Sequence, residues 1–182
     1  TGQTGIMISG SGMPIDAVVS DFIAGAAESL SPANKVDHWD IVEGQGSLFT
    51  PAYAGVSLGL LHGTQPDAIV VCHDPLRKHI VGCPNHPIPH VQTCIETNLM
   101  LARLTNPRVK CVGVSVNTSA VPEQDRKALL EQLSKQTGLP CVDPIVDGVQ
   151  PIIDRLLTTF PLKKVRPEET HLANQTTDGE TA

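Results

Sequence analysis

Glu43 is the residue whose neighbours in the sequence point most directly to chemistry. The short apolar run Ile41-Val42 ends on it, and Gly44, Gln45, Gly46 and Ser47 follow. A buried parallel strand ending on an acid delivers a carboxylate to the carboxyl edge of its sheet. The glycines let the backbone turn sharply and let a ligand come close. An acid in that place handles a substrate proton, a water or a metal. The competing reading is a strand-to-turn junction with a solvated carboxylate.

Three other clusters carry polar groups of the same kind. His73 and Asp74 follow the apolar run Ala68–Cys72. A histidine there can move protons near neutral pH, and a nearby carboxylate can hold its tautomer. Asp74-Pro75 reads equally as the start of a turn. Asn117, Thr118 and Ser119 end a second apolar run and can read a base edge or a carboxylate, or cap the helix that follows. Gly2, Gln3, Thr4 and Gly5 lie in a Gly/Thr-rich string suited to cradling an anion, and Asp16 is close enough in sequence to reach a ligand held there. The phosphate-loop pattern GxxxxGK[ST] is absent, and no Gly-Lys pair occurs. Cys72, His73, His79, Cys83, His86 and His90 are zinc-type ligands, but they show no compact CxxC or HExxH spacing. No protein-held metal is expected, and Cys72 is expected to point into the core.

These clusters need elements to position them. The chain has 182 residues, 40% of them hydrophobic and only 3% aromatic. That is enough for one domain with a core of Val, Ile, Leu and Ala. The lack of aromatics argues against stacking platforms for single-stranded nucleic acid, and the net charge of -6 argues against a phosphate-backbone binder. Five cysteines at scattered spacings do not form a disulfide framework, so a reducing cytoplasm is the expected setting. No run reaches transmembrane length.

The pattern along the chain predicts alternating helices and strands. Thr1 to Gly12 reads as a loop and Pro14 to about Leu30 as a helix. Strands are expected at about Asp40–Glu43, Ala68–Cys72, Val109–Val116 and Pro140–Val142. Further helices are expected over Ser57–His62, Val91–Leu104, Pro122–Gln136 and Val149–Leu157, with Gly63 ending the first and Gly138 closing the third of these. A Pro- and His-rich loop is expected from Arg77 to His90. Residues 1–160 then form one α/β ligand-binding domain and residues 161–182 a polar, mobile tail. The β-α-β order implies a three-layer, mainly parallel, doubly wound sheet with its ligands at the strands' carboxyl ends. The opening string, without an initiator Met, suggests the carboxyl part of a longer protein.

Several strings together resemble a known family. They are Thr1-Gly-Gln-Thr-Gly-Ile-Met7, Pro14-Ile-Asp-Ala-Val18, Asp21-Phe-Ile-Ala-Gly-Ala26, Asp40-Ile-Val-Glu-Gly-Gln-Gly-Ser47, Tyr53-Ala-Gly-Val-Ser-Leu-Gly-Leu-Leu-His-Gly63 and Ser115-Val-Asn-Thr118. They look like the carboxyl-terminal domain of the D-glutamate N-acetyltransferase family, and the likeness spans Thr1 to about Leu157. It implies a P-loop-type domain similar to dethiobiotin synthetase, with the phosphate loop and a separate amino-terminal domain upstream. By that analogy Glu43 takes the acid position at a Walker-B-like strand end. Asn117 takes a strand-end position able to meet an adenine, and the Thr1–Gly5 loop meets an acceptor carboxylate.

The expected function is acetyl transfer from acetyl-CoA to the amine of D-glutamate or a relative. Glu43 and His73 are the candidate bases, and the amides of Gly44 to Ser47 the candidate oxyanion donors. Two competitors are an ATP-dependent ligase or kinase using Mg²⁺ and a non-enzymatic ligand-binding module. The expected partners are a small amino acid and an acyl donor, with no nucleic acid and no membrane. A homo-oligomer is expected, although the apolar face of Ile95 to Leu101 suits a core or a subunit contact equally.

Overall fold

Three parallel strands form the centre of the structure, a computed structural model that describes residues 2–35 and 37–161. Strand β1 is Ala68–His73, β4 is Lys110–Val116 and β5 is Cys141–Val142, arranged in the order β1-β4-β5. β4 is central, and its Val112, Val114 and Val116 are at most 1% exposed. A continuous apolar run of this kind is what a strand covered on both faces requires. The register between β1 and β4 slips once. Ile69 pairs with Cys111 and Val70 with Gly113, so Val112 is an extra residue on β4. The bulge divides the strand's side chains between two layers. Cys111, Val114 and Val116 pack on one face and Val112 on the other.

Helices cover both faces. On one face, α4 (Val91–Ala102) brings Val91 and Ile95, and α5 (Glu123–Thr137) brings Leu133. On the other face, α6 (Gln150–Thr159) brings Ile152 and Leu156 against Val112 and Val142. This helix lies directly on the backbone of β4. A Cβ added at Gly113 would sit 2.7 Å from Cγ1 of Ile152. α5 carries Glu123 and Asp125 in its first turn and Lys135 in its last, matching the helix dipole. It stops at Gly138, whose φ of 67° suits the left-handed cap.

The other elements flank this core. Helix α1 is Gly2–Ser9, α2 is Ile23–Ser29 and α3 is Ala54–Thr64. The pair α2–α3 packs closely because α3 offers glycines to it. A Cβ at Gly59 would collide with Ile23, and one at Gly63 with the carbonyl of Ala24. Gly63 therefore lies inside α3 and does not end it, contrary to the expectation, and Gln65 takes the left-handed cap with φ 46°. His62 Nε2 lies 3.1 Å from the Leu101 carbonyl and ties α3 to α4.

Four further expectations are corrected. The Gly/Thr-rich opening is helical from Gly2 to Ser9, so Gly2, Gln3, Thr4 and Gly5 lie in a helix and not in an anion-cradling loop; Thr1 is outside the described residues. The helix expected from Pro14 to Leu30 is interrupted at Val18 and Val19, whose ψ angles of 136° and 135° are extended. Two adjacent β-branched residues resist helical backbone, and only Ile23–Ser29 is α-helical. Asp16 sits in the short 3-10 turn Ile15–Ala17. The loop expected from Arg77 to His90 holds a small antiparallel hairpin, β2 (His79–Ile80) with β3 (Cys83–Pro87).

The fourth correction concerns Asp40–Glu43, which forms no strand. Ile41 is 90% exposed, and the backbone from Asp40 to Gln45 has no regular structure. Asp40 is held locally instead. Its carboxylate accepts from Ser31 Oγ and lies 2.9 Å from His38 Nε2. Local side-chain bonds of this kind compete with a ladder, and two apolar residues bury too little to offset them. The polar tail lies, from residue 162 on, outside the described residues. Among the described residues no helix is long and apolar enough to cross a membrane.

Candidate active site

The carboxyl ends of β1, β4 and β5 open on one cleft of about 600 Å³. β1 and the turn after it contribute Cys72, His73, Asp74 and Arg77. β4 and its exit contribute Ser115, Val116, Asn117 and Ser119. Arg126 reaches it from α5, and Asp143, Pro144, Ile145 and Val146 line it from the end of β5. Parallel strands place their tips in register, so successive strand ends meet at one rim. The amide of Asn117 donates to the carbonyl of His73 over 2.9 Å and continues the ladder to the rim.

His73 is half-buried at this rim. Burial pushes its pKa below the ordinary histidine value, Asp74 opposes that shift, and His90 adds to it. The neutral imidazole, able to accept a proton, is therefore favoured near neutral pH. Asp74 makes no hydrogen bond to His73. Its Oδ1 accepts from the amides of Leu76 and Arg77, each at 3.2 Å, and its Oδ2 lies 3.2 Å from Arg77 Nη2. Asp74 thus anchors the turn after β1, and the tautomer-holding role expected of it is not observed.

Asp143 was missed by the sequence reading. It is 5% exposed, and four donors converge on its carboxylate. Oδ2 accepts from the amide of Thr118 at 3.1 Å and from the Thr118 hydroxyl. Oδ1 accepts from the amides of Ile145 at 2.9 Å and Val146 at 3.3 Å. Burial alone would raise its pKa, but these bonds outweigh burial and hold it below the usual carboxylate value. Its signal was an acid directly after the short run Pro140–Val142, the same position relative to a strand that drew attention to Glu43.

The expected site residues divide accordingly. His73, Asp74 and Asn117 share the cleft. Asn117 is exposed, and its Oδ1 accepts from the amide of Ser119 at 3.1 Å. Thr118 is fully buried and committed to Asp143, so it is a strut and not a ligand-binding hydroxyl. Glu43 is exposed and does not line the cleft, and neither do Gly44, Gln45, Gly46 and Ser47. That last segment leads into α3. The Gln45 carbonyl accepts from Ser57 Oγ, and Ser47 Oγ lies 2.9 Å from Thr50 Oγ1. Cys72 is exposed at the cleft and not in the core. Among the described residues no three His, Cys, Asp or Glu side chains are placed to hold a metal ion.

A mainly parallel sheet with helices on both faces, its strand tips gathered at one carboxyl edge, defines an α/β domain. The chain belongs to a family described as "Domain of unknown function (DUF1611_C) P-loop domain", whose model matches residues 1–153. It is 57% identical over 156 residues to a protein of Pseudoalteromonas sp. named D-glutamate N-acetyltransferase, covering 86% of this chain and 47% of that protein. It is 47% identical over 156 residues to a protein of the same name from Tritonibacter scottomollicae, with the same coverage. The chain thus spans about half the length of the curated relatives it matches. A crystal structure of a DUF1611 family protein from Anabaena variabilis superposes with a TM-score of 0.76 at 34% identity, over 87% of this chain and 46% of that one.

Proposed function

We propose that this chain is the carboxyl-terminal part of an N-acetyltransferase that moves an acetyl group from acetyl-CoA to the amine of D-glutamate or a closely related amino acid. The observation that carries the reading is the place of His73, half-buried at the strand tips in a cleft that also presents two arginines, where burial lowers its pKa. The names of the relatives at 57% and 47% identity supply the acceptor and the group transferred.

The chemistry asks for a base, because an ammonium group has no lone pair to attack a thioester. His73 removes one proton from the acceptor's ammonium group. The amine lone pair forms the new C–N bond at the acetyl carbonyl carbon, the C–S bond breaks, and the electron pair leaves on sulfur. The remaining extra proton on nitrogen is lost, and the CoA thiolate takes up a proton. The side-chain amide of Asn117, exposed at the same rim, can donate to an oxygen or ring nitrogen of either substrate. The test is to incubate the gene's full-length product with acetyl-CoA and D-glutamate, following CoA-thiol release and N-acetylglutamate together. Stoichiometric formation of both without ATP supports the proposal. Thiol release that does not depend on any amino acid, or nucleotide consumption in its place, rejects it.

A further inference from the structure

The cleft is lined by two arginines and two aspartates, but the four are not paired alike. Arg77 is paired with Asp74, its Nη2 being 3.2 Å from Oδ2. Asp143 is surrounded by four donors of its own. Arg126 differs from both. Its Nε donates to the Val121 carbonyl at 3.2 Å, which fixes the plane of the guanidinium, and among the described residues its Nη atoms have no partner. Glu123 is one turn back on the same helix and forms no ion pair with it among the described residues. Arg126 is half-buried, lines the cleft, and sits near the start of α5. A guanidinium held at one nitrogen, with its outer nitrogens unpaired among the described residues beside a cleft that it lines, is suited to bidentate recognition of an oxyanion.

We infer that Arg126 is a specificity-determining residue that binds an oxyanion of a substrate in this cleft. The inference rests on the acetyltransferase reading for the identity of that substrate, and two sources share the chemistry: the side-chain carboxylate of an acidic acceptor and a phosphate of CoA. In the sequence Arg126 is one of several charges on α5, an amphipathic helix. The bond to Val121 and the place beside the strand tips set it apart.

The test uses the full-length protein with Arg126→Met, which keeps the aliphatic stem, and Arg126→Lys, which keeps the charge and loses the fork. Binding is measured by calorimetry with glutarate, a dicarboxylate that cannot be acetylated, and separately with adenosine 3′,5′-bisphosphate. The wild type is expected to bind one of them. Arg126→Met is expected to weaken that ligand by about 10- to 100-fold, the scale of a charge-assisted hydrogen bond, with Arg126→Lys between the two. Loss confined to glutarate assigns Arg126 to the acceptor. Loss confined to the bisphosphate assigns it to the donor. In turnover, the KM of the matching substrate rises and kcat changes little. Equal binding of both ligands by wild type and Arg126→Met, or binding of neither by wild type, overturns the inference. Arginine-dependent binding in a protein that transfers no acetyl group would retain it and discard the acetyltransferase reading.

Discussion

The amide and hydroxyl of Thr118 both donate to one oxygen of Asp143, tying the carboxyl end of β4 to that of β5. The other oxygen of Asp143 accepts from Ile145 and Val146 and shapes the loop that forms the far wall of the cleft. One buried carboxylate therefore sets the relative position of two rims. Removing it would leave four donors without their shared acceptor. Asp143→Ala is expected to lower the stability of the full-length protein by about 2–4 kcal/mol, because buried donors lose their acceptor. Urea unfolding checks this, and a loss below about 0.5 kcal/mol, the level of an ordinary surface substitution, would show that the network is incidental.

Acid sensitivity should separate two groups. The pKa of His73 is lowered in the folded protein, so the unfolded chain takes up this proton first, near the ordinary value of about 6.5. Its contribution is complete above that pH and is lost as the solution is acidified through the lower folded value. The pKa of Asp143 is also lowered, from a much more acidic starting point. Its contribution remains until the pH falls below about 3.9, the value for an unfolded aspartate. His73→Gln should flatten the stability profile just below pH 6.5 and leave the more acidic limb, whereas Asp143→Asn should flatten the acidic limb alone. Asp40, exposed and bonded first by Ser31 and then by His38, titrates in the same acid range, so the comparison with Asp143→Asn isolates the buried group.

The contact of α6 with β4 offers a test of packing without touching a polar group. A methyl added at Gly113 meets Ile152 Cγ1 at 2.7 Å and the Pro140 carbonyl at 3.2 Å. Gly113→Ala should cost about 1–3 kcal/mol, as overpacking does in tight cores. Adding Ile152→Val, which removes the δ-methyl that the new Cβ meets at 3.1 Å, should recover part of that loss. A fully additive double mutant would show that the two residues do not share the strain.

The contrast between β4 and Asp40–Glu43 shows where sequence reading succeeds. Lys110–Val116 is apolar from Cys111 to Val114, is buried through its middle and needs no information from elsewhere to be read as a strand. Ala68–His73, α4 and α5 were legible for similar reasons of run length, helical spacing and the Gly138 stop. Asp40–Glu43 has only Ile41 and Val42 to bury, and a strand exists only through a partner that the local sequence does not specify. Glycine produced another difference. Gly63 serves close helix packing, and that use looks the same in the sequence as a helix stop. At the site, His73 and Asn117 were legible because they follow strong strands. Asp143 follows a strand of two residues, and Thr118 looked polar and available although its hydroxyl is spent inside the protein.

The most direct measurement is the steady-state rate of CoA-thiol release with D-glutamate as acceptor, comparing the full-length wild type with His73→Gln. Proton removal by a placed side chain is worth roughly 10²- to 10⁴-fold. The account predicts a fall of that size in kcat for a variant whose unfolding midpoint at pH 8 matches the wild type. An unchanged kcat in the folded variant would contradict it and move the chemistry away from the ends of β1, β4 and β5.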